Sequence, residues 1–507
     1  MGQNQHMVME TANITGLKCS SCHEEYAQKH ELDSCPKCGG ALLLNIDFTE
    51  IAGEISRDTF MNRGKDIWRY LELLPNIDRD RIVSLGEGGT ALLNCERLSK
   101  TLGLRRLLIK DETTNPTGSF LDRGMTVAVS RANQLGYTSL TCKDVSGNFA
   151  ASASAYASRA GLNCTICLAR KRIERLDLGK LYQIVAYGGN IMIEEERLGR
   201  SGKDTPDKKT YTLSPGNPYF EAGEKTTAYE LCEQLGWRTP DRIVVPMGHG
   251  EHISMIWRGM EELRSLGLIS SLEAAMTGVQ LEEYASLVDL FHGVKSSETY
   301  KGKYRTIAAD LAMERPTYGF LAIESMKESG GTAVKVKDSE VLEAMTLLAR
   351  TEGVFAEPAA ASTIAGLKRL IDQGEVDRSE EVVCVVTGSG LKDPSTARRF
   401  IRKMKTIDKI VSQIESRRFT TRLGRTKIRI LNIIGGKEAY GYEVWSVLNE
   451  RFKAGIDISS IYQHLSDLEK GGLIRRTRVE SVMGKPERQY YSLTEKGRNI
   501  LKSIEEE

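Results

Sequence analysis

Four cysteines near the start of the chain have the spacing of a metal site. Cys19 and Cys22 are separated by two residues, and Cys35 and Cys38 repeat this spacing twelve residues later. Two such pairs place four thiolates around one ion, and zinc prefers this tetrahedral sulfur set. Because four thiolates leave no open position for water, the expected zinc is structural. The alternative is a ribbon of the same kind that holds no metal.

The other six cysteines are scattered, which indicates a reduced compartment rather than a disulfide framework. Cys164 and Cys167 form a further pair with the same spacing, in the run LNCTICLAR. That run is typical of a buried strand and has no second pair beside it. We therefore interpret these two cysteines as core residues.

A second stretch that could carry chemistry reads KDETTNPTGSFLDRGM, from Lys110 to Met125. It resembles the cofactor-lysine segment of threonine synthase and related fold-type II pyridoxal-phosphate (PLP) enzymes. In that family a lysine holds the cofactor as a Schiff base and moves the substrate proton. The matching position here is Leu121. Leucine has no nitrogen and no titratable group, so no catalytic residue is assigned.

Five further motifs resemble the same family and follow in its order. The resemblance implies that Asn148 bonds the phenolic oxygen of PLP and that Thr387, in TGSGLKD, faces the pyridine nitrogen. It implies that Ser146, Gly147, Asn148 and Phe149 receive the carboxylate of a ligand at a helix N-terminus. The family also often carries a cysteine ribbon at the same place. The remaining motifs are SLGEGGTALL (84–93), NPYFEAGEKTTAYEL (217–231) and EGVFAEPAAASTIAGL (352–367).

The phosphate cradle of the family corresponds to the run VPMGHGEHI, whose candidate cofactor-binding residues are Gly248, His249 and Gly250. Glu251 stands where the family has a glycine. A carboxylate there would repel the phosphate and occupy its backbone donors. Protonated histidines in the cradle would compensate; alternatively, Glu251 caps the following helix and His252 points outward. PLP is therefore expected to bind without a covalent link or not at all.

The elements that position these motifs are predicted from the apolar runs. Short runs rich in apolar and β-branched residues, such as CTICLA, RIVVPM and EVVCVVT, alternate with helical stretches from about residue 80. This alternation predicts an α/β body with mainly parallel sheets, and the resemblance implies the two-lobed fold of type II PLP enzymes. In such sheets, ligands bind beyond the carboxyl ends of the strands.

The last part of the chain changes character. Three amphipathic helices are predicted at 425–436, 441–452 and 458–474, and the third is expected to begin at Ser459 and Ser460. Two strand-like runs about a Gly-Lys-Pro turn follow, and then a helix capped at Thr494. This order predicts a winged helix. The motifs GYEV, YQHLSDLEKGGLI and GKPERQYYSLTEKG resemble those of the PadR family of transcriptional regulators.

The resemblance implies that the third helix enters the major groove of DNA and that the wing contacts the backbone. Leu465, Leu468 and Leu473 are expected in the core. Winged helices also serve as protein-interaction modules, which is the alternative. The candidates for base contact are Ser459, Ser460, Tyr462, Gln463 and His464, and those for phosphate contact are Arg475, Arg476, Arg478, Lys485 and Arg488.

The chain has 507 residues, enough for several domains, with 40% hydrophobic and 27% charged residues as in globular proteins. No apolar run approaches the roughly 20 residues of a membrane span, and the start lacks a signal-peptide core. A cytoplasmic protein with no membrane partner is expected. The predicted domains are a zinc ribbon (1–50), a threonine synthase-like body (51–394), a basic linker helix (395–424) and a PadR-like winged helix (425–507).

Charge is concentrated near the linker. Residues 395–429 hold 12 lysine or arginine residues and 2 acidic ones, although the whole chain has a net charge of only +2. This basic stretch indicates a polyanion partner or a solvated basic helix. Its apolar stripe, from Ile401 to Ile414, and the last helix, near Ile500, Leu501 and Ile504, are candidate dimer surfaces.

These observations favour a homodimeric transcriptional regulator that binds double-stranded DNA. Its enzyme-derived body is expected to be catalytically inactive and to sense a small molecule, such as an amino acid, a phosphorylated amino acid or PLP itself. The rival hypothesis is a working PLP-dependent lyase that converts O-phosphohomoserine to threonine and carries a fused DNA-binding domain. A third is an inert body that supplies only a dimer interface.

Overall fold

The structure is a computed structural model, and it forms two units, Met1–Ala397 and Arg398–Glu507. Within the described ranges, no helix is both long and apolar enough to cross a bilayer. The predicted stripe from Ile401 to Ile414 lies outside these ranges, as does Lys485. The structure describes residues 13–27, 32, 34–143, 145–169, 173, 176–194, 209–294, 306–396, 410, 423–481 and 487–505.

The first unit begins with a small antiparallel sheet. Its strands are β1 (Asn13–Cys19), β2 (Glu25–Tyr26) and β3 (Leu42–Asp47), in the order β2-β1-β3. Cys19 pairs with Leu42 in the register of β1 and β3. This pairing places the turn after β1 beside the turn before β3, and these turns carry the two cysteine pairs.

Two further sheets form the rest of this unit. Their strands are β4 (Leu92–Asn94), β5 (Arg106–Asp111), β6 (Ser139–Lys143), β7 (Asn163–Ala169), β8 (Asn190–Glu194), β9 (Thr210–Leu213), β10 (Arg242–Pro246), β11 (Ala275–Leu281), β12 (Thr332–Val336) and β13 (Glu381–Val386). The larger sheet has the order β12-β11-β10-β13-β5-β4 and is parallel except for β4. The smaller has the order β8-β7-β6-β9 and is parallel. The predicted two-lobed parallel-sheet body is confirmed.

Helices connect these strands. Every residue of β10 and β13 is buried, as in parallel strands that helices cover on both faces. Cys164 and Cys167 are buried in β7, which confirms their interpretation as core residues. The helices are α1 (Asp58–Met61), α2 (Glu96–Leu102), α3 (Asp122–Gln134), α4 (Gly147–Ala160), α5 (Leu178–Ala186), α6 (Pro218–Glu224), α7 (Thr226–Gln234), α8 (Glu251–Ser265), α9 (Ser286–Phe291), α10 (Gly319–Glu328), α11 (Asp338–Glu352) and α12 (Pro358–Gln373).

The strand order brings the sequence motifs together. β13 lies between β10 and β5, so the segments that follow these three strands meet at one edge of the larger sheet. The segment after β13 carries Thr387, the segment after β10 carries the cradle, and the segment after β5 carries Leu121. The loop with Asn148 follows β6 of the smaller sheet. The carboxyl ends of the two sheets therefore supply the candidate site, as open parallel sheets commonly do.

A buried ion network holds the KDETTNPTGSFLDRGM segment in place. The guanidinium of Arg123 donates to both carboxylate oxygens of Glu112, at 2.7 and 2.8 Å, and to Glu230 at 3.0 Å. Lys110 donates to the same Glu230 at 2.5 Å and to the carbonyl of Thr90 at 2.8 Å. These charged side chains are at most 4% exposed. Because buried charges need partners, the charged residues of this segment have a structural role.

The second unit is a winged helix. Its sheet has the order β14-β16-β15 and is antiparallel. Leu465, Leu468 and Leu473 are buried, as predicted. The elements are α13 (Arg425–Gly436), β14 (Ala439–Tyr440), α14 (Gly441–Phe452), α15 (Ile458–Lys470), β15 (Ile474–Glu480), β16 (Arg488–Leu493) and α16 (Glu495–Glu505).

Two expectations for this unit are wrong. α15 begins at Ile458, with Asp457 rather than a serine as its cap, because the Asp457 carboxylate accepts from the amide of Ser460 at 2.8 Å. Ile500 and Leu501 of α16 are buried in the core of their own unit, so these two residues offer no exposed dimer surface.

Candidate functional site

The motifs surround an open cavity of about 800 Å³. Its walls include Phe120 and Leu121 after β5, Asn148 after β6, residues 248–252 after β10 and Thr387 after β13. The loop between α9 and α10 supplies a further wall that no sequence motif indicated. The structure thus brings together residues from four segments that the sequence singled out separately.

Leu121 lies at the wall of this cavity, directly before α3, and is 9% exposed. The amine of Lys392 donates to the carbonyl of Thr117 at 2.6 Å, and burial lowers the pKa of this lysine to about 8. Lys180 is ion-paired, and Lys110 belongs to the buried network. In the described part of the chain, no lysine lines the cavity. Among the residues that the structure describes, none therefore supplies this wall with an amine to replace the missing one.

Four polar side chains form a cluster at the Asn148 end of the cavity. The amide nitrogen of Asn148 donates to both carboxylate oxygens of Glu357, at 2.9 and 3.0 Å, and to Asp310 at 3.2 Å. Lys180 donates to Asp310, and its amine lies 3.5 Å from Glu357. Burial raises the pKa of Glu357, although Lys180 opposes this. The nitrogen of Asn148 is thus engaged, whereas its carbonyl oxygen is buried and has no hydrogen-bond partner among the described residues.

The cradle end holds Glu251 and His252. Glu251 is the first residue of α8, the cap position before it is Gly250, and Oε1 of Glu251 has no hydrogen-bond partner among the described residues. His252 is 5% exposed, and its ring centroid lies 4.1 Å from that of Phe120. The alternative in which Glu251 caps the helix and His252 points outward is therefore wrong. Nδ1 of His252 lies 3.6 Å from Glu224, but neither ring nitrogen has a hydrogen-bond partner in the described ranges.

Burial determines the charge at this end. Burial raises the pKa of Glu251 and of Glu224 well above the usual range, and the negative charge of Glu251 raises that of Glu224 further. Burial lowers the pKa of His252 to about 3. This histidine is consequently neutral at neutral pH and does not supply the positive charge that would compensate for a carboxyl group in the cradle.

The remaining candidates lie around the same cavity. The Ser146 hydroxyl accepts from the amide of Phe149 at 3.3 Å and so caps α4, at whose first position Gly147 lies. The carbonyl of Thr387 accepts from the amide of Phe120 at 3.0 Å. These contacts hold the loops after β6, β13 and β5 in fixed positions.

The glycines of the cradle allow it to pack closely. Gly250 has a φ of +85°, and a Cβ there would lie 2.9 Å from Ala322. A Cβ at Gly248 would lie 3.0 Å from the carbonyl of Asp310. Nδ1 of His249 lies 3.2 Å from the hydroxyl of Thr317. These two glycines therefore let the cradle backbone approach Ala322 and Asp310 closely.

The four cysteines converge in the small sheet. Their sulfur atoms all lie within 4.8 Å of one another, with 3.5 Å between Cys19 and Cys38 and 3.7 Å between Cys22 and Cys35. Four sulfurs at about 2.3 Å from a tetrahedral zinc are about 3.8 Å apart, so the cluster fits this ion. Desolvation raises the pKa of Cys35, but hydrogen bonds from the Tyr26 hydroxyl and from backbone amides outweigh it and lower that pKa to about 6.

Reduced protein is expected to contain one zinc ion per chain, held by these four thiolates. Cys35→Ser should lose the ion, because a serine hydroxyl is a poor zinc ligand at neutral pH. Amides of β1 and β3 should then exchange faster, while those of the winged helix keep their protection. Elemental analysis and hydrogen exchange measure these effects. Cys95→Ser, at a buried cysteine outside the cluster, is the control and should retain zinc; reduced native protein without zinc would contradict the assignment.

The candidate base contacts lie in the first turns of α15. Tyr462 is 48% exposed, and Gln463 is exposed beside it. The Gln463 amide donates along the helix to Asp467 at 3.1 Å, and His464 is half-buried. Of the five candidates, Ser459, Tyr462 and Gln463 are exposed, whereas Ser460 and His464 are half-buried.

The two serines have a different role in the free protein. The hydroxyls of Ser459 and Ser460 donate to the carboxylate of Asp457, at 2.5 and 2.7 Å. These bonds, together with the Ser460 amide, lower the pKa of Asp457 well below its usual range. A carboxylate therefore stands at the start of the helix, where it can accept from the amino group of cytosine. No motif of the sequence had indicated this group.

The wing presents a row of arginines, and Arg475, Arg476 and Arg478 are exposed. Arg476 pairs with Glu469 at 2.9 Å. The guanidinium of Arg478 lies 3.8 Å from the ring centroid of Tyr490. Exposed ion pairs contribute little to stability, so a phosphate can replace Glu469. Arg488 is half-buried beside Tyr440, and Lys485 lies outside the described residues.

The body matches known proteins over most of its length. Residues 83–388 match the family described as pyridoxal-phosphate dependent enzyme. The threonine synthase of Methanocaldococcus jannaschii is 41% identical over 387 residues, which cover 75% of this chain and 94% of that protein. The chain belongs to the pyridoxal-phosphate dependent enzyme family. The threonine synthase of Mycobacterium tuberculosis H37Rv is 40% identical over 333 residues, which cover 65% of this chain and 88% of that protein.

Two solved enzyme structures share the fold of the body. The L-serine ammonia-lyase of Rhizomucor miehei has a TM-score of 0.51 and 19% identity, with 62% of this chain and 98% of that chain covered. Maize serine racemase has a TM-score of 0.51 and 20% identity, with 62% and 92% covered. At these identities the likeness shows the fold alone.

The winged helix matches a second family. Residues 430–503 match the transcriptional regulator PadR-like family. The protein therefore joins a PadR-like domain to a threonine synthase-like body of the PLP family.

The cavity of this PLP-family member does not fit the cofactor as the family motifs would hold it. Leu121 offers no amine at the wall. The amide nitrogen of Asn148, which would bond the phenolic oxygen, already donates to two carboxyl groups. The Glu251 side chain stands in the phosphate cradle, and no cation lines the cavity in the described ranges. We therefore derive no reaction step through PLP.

Four residues of the site had no role indicated by the sequence. Asp310 and Lys180 lie outside every motif, and Glu224 and Glu357 lie within motifs without a role assigned to them. Isolated acidic and basic residues are typical of protein surfaces, so their identities gave no signal. Only the fold shows that Lys180 meets Asp310 and that Glu224 lies behind the cradle.

Proposed function

We propose that the protein is a DNA-binding transcriptional regulator whose threonine synthase-like body has lost catalysis and senses a small molecule. The observation that carries this proposal is Leu121 at the wall of a well-formed cavity whose described lining has no lysine. A cavity without its reacting group can bind a ligand but cannot begin PLP chemistry. Through the PadR-like domain, binding of the small molecule would change how the protein binds DNA.

The cavity supports binding rather than a purely structural body. Its lining combines apolar side chains, among them Phe120, Leu311 and Met313, with a few polar groups, as is usual for small-molecule sites. Asn148 and Glu357 are 4% and 3% exposed, so polar groups are kept inside it at a cost in desolvation. A body that supplied only a dimer interface would not need these buried polar groups.

The rival hypothesis is a lyase that forms threonine from O-phosphohomoserine. The 41% identity to a threonine synthase favours it. Residues of the fold and of the buried network contribute to that identity as well as residues of the active site. An amine at position 121, by contrast, would serve catalysis alone. Leu121 therefore counts more in this comparison than the overall identity.

The winged helix supports DNA binding through the exposed face of α15 and the arginines of the wing. One winged helix reads only a few base pairs, so we propose a homodimer on a pseudo-palindromic site. The location that suits this role is the cytoplasm. Because the predicted apolar stripe lies outside the described residues, the dimer remains part of the proposal.

The full-length protein is expected to bind duplex DNA from its own promoter, with an affinity that falls steeply as salt rises. Gln463→Ala should weaken the specific site by about 1–3 kcal/mol, because a base contact is lost, and leave nonspecific binding nearly unchanged. Arg476→Ala should weaken all sequences alike and flatten the salt dependence. Fluorescence anisotropy at several salt concentrations measures each of these quantities.

The control is Arg97→Ala, which removes an exposed arginine from the body and should change neither quantity. Sedimentation of the same samples reports the dimer. A full-length protein that binds no promoter DNA at low salt would refute the proposal, as would a Gln463→Ala protein that loses specific and nonspecific binding equally.

A further inference from the structure

We propose that the cavity binds a small molecule with a protonated amino group and no phosphate, of the class of the free amino acids. This inference rests on the proposed function, because it names the ligand class of the same sensing site. It starts from the polar side chains that line the cavity, among which carboxyl groups are prominent.

Carboxyl groups dominate the polar lining. Glu251, Asp310 and Glu357 all line the cavity. Lys180, which contacts Asp310 and Glu357, is not part of the lining, and no lysine or arginine of the described residues is. A phosphate ester would bring close to two negative charges to this wall, whereas an ammonium group brings one positive charge. Lys180 compensates the charge at the Asp310 end, but no lysine or arginine of the described lining does so beside Glu251, so Coulomb's law favours the ammonium group at the cradle end.

Two uncharged groups point to the same ligand. Asn148 is 4% exposed, and its Oδ1 has no hydrogen-bond partner among the described residues. Neither ring nitrogen of the 5% exposed His252 has such a partner in those ranges, and a neutral imidazole offers one acceptor nitrogen. Buried polar atoms without partners cost free energy. An ammonium group at either end carries donors for the acceptor there, while the oxygens of a phosphate dianion only accept.

Glu251 is the residue that makes the cradle unfavourable for binding a phosphate. The first amides of a helix ordinarily bind an anion, but at α8 the 8% exposed carboxyl group of Glu251 lies beside them. Its Oε1 has no hydrogen-bond partner within the described chain. Burial raises the pKa of this group. An approaching cation would favour its charged form, whereas an approaching phosphate would not.

The test is calorimetric titration of the full-length protein, without DNA, against defined probes. These are the twenty standard L-amino acids, L-homoserine and the O-phosphates of serine, threonine and homoserine. At least one amino acid is expected to bind, and each phosphate ester should bind about ten-fold or more weakly than its parent. The deamino analogue of the best-binding amino acid should also lose about ten-fold or more, because a charge-assisted hydrogen bond is absent.

Variants at position 251 test the preference for an amino group and the rejection of phosphate separately. Glu251→Gln keeps the size of the side chain and should weaken the best-binding amino acid about ten-fold. Glu251→Gly restores the family's residue and should raise the affinity for the phosphate esters. Glu96 is the matched control, since it is also the first residue of a helix but is exposed outside the cavity. Glu96→Gln and Glu96→Gly should change neither affinity.

Two results would overturn the inference: a phosphate ester that binds more tightly than its parent, or no binding by any amino acid in the set. DNA binding by the same samples is measured separately. A protein that binds DNA but prefers phosphate esters loses the inference and keeps the proposed function. A protein that binds an amino acid but no DNA keeps the inference and loses the regulator.

Discussion

Purified protein incubated with PLP and reduced with borohydride is expected to carry no stoichiometric pyridoxyl-lysine. Leu121 has no amine, and the amines of Lys110, Lys180 and Lys392 are engaged away from the cavity wall. Peptide mass spectrometry detects the adduct if it forms. The same protein should form no threonine from O-phosphohomoserine, since loss of the general base alone costs about 10²–10⁴-fold in rate.

Restoring an amine at position 121 should not be enough to restore covalent binding of PLP. Leu121→Lys is expected to gain little covalent PLP, because Glu251 still lies in the phosphate cradle. The double variant that also contains Glu251→Gly should gain far more. Leu121→Met, which fills similar space without an amine, is the control and should gain none. A stoichiometric adduct or measurable turnover in the unaltered protein would instead establish the lyase.

Arg123→Met is expected to destabilise the body by about 3–5 kcal/mol, the usual cost of breaking a buried ion pair. The guanidinium is fully buried and donates to Glu112 and Glu230. Methionine fills much of the same space but leaves Glu112 without its main partner. The free energy of unfolding is measured by hydrogen exchange of amides in β5 and α3. A loss below about 1 kcal/mol, the range of exposed pairs, would show that the network is not structural.

The matched control for this network is Arg238→Met. Arg238 also makes a two-pronged contact with a glutamate, Glu381, at 2.6 and 3.1 Å, but it is half exposed. Its loss should cost about 0–1 kcal/mol. If both variants lose the same amount, burial is not the cause of the effect.

Acidification should reduce the difference in the free energy of unfolding between the unaltered protein and the Arg123→Met variant. Burial raises the pKa of Glu112, but Arg123 outweighs it and lowers that pKa from 4.5 to about 2. A carboxyl group whose pKa is lowered on folding stabilises the protein above its ordinary pKa, and this contribution is lost as the pH falls toward the folded value. The unaltered protein therefore loses this stabilisation in acid, whereas the variant has already lost it.

The sequence predicted the elements and the meeting of the motifs because these depend on local patterns. Alternating apolar runs indicated the parallel sheets, and the strand ends placed Leu121, Asn148 and Thr387 at one cavity. The helix that begins at Ile458 was placed within a residue, although its cap was misassigned. Asp457 and the two serines after it are all good caps, so composition could not separate them.

The electrostatics of the cavity were not predictable in the same way. Arg123 and Glu230 are 107 residues apart, and Asn148 and Asp310 are 162 apart. No local pattern links such partners. The charge on His252 also depends on burial: the same residue would help to hold a phosphate if exposed to water, and it is neutral against Phe120. The residue type alone left the charge of His252 open, and the packing around it in the structure determines that charge.

The buried ion network has a consequence for the history of this protein. Lys110, Glu112 and Arg123 hold one another inside the body, so a lineage that replaces one of them alone leaves its partners charged and unpaired. The side chain of Leu121 makes no such bond, so a change at position 121 leaves the network intact. If catalysis has been lost, as we propose, the contacts of these charged residues keep the rest of the segment in place, and the family likeness of the segment persists without the reaction.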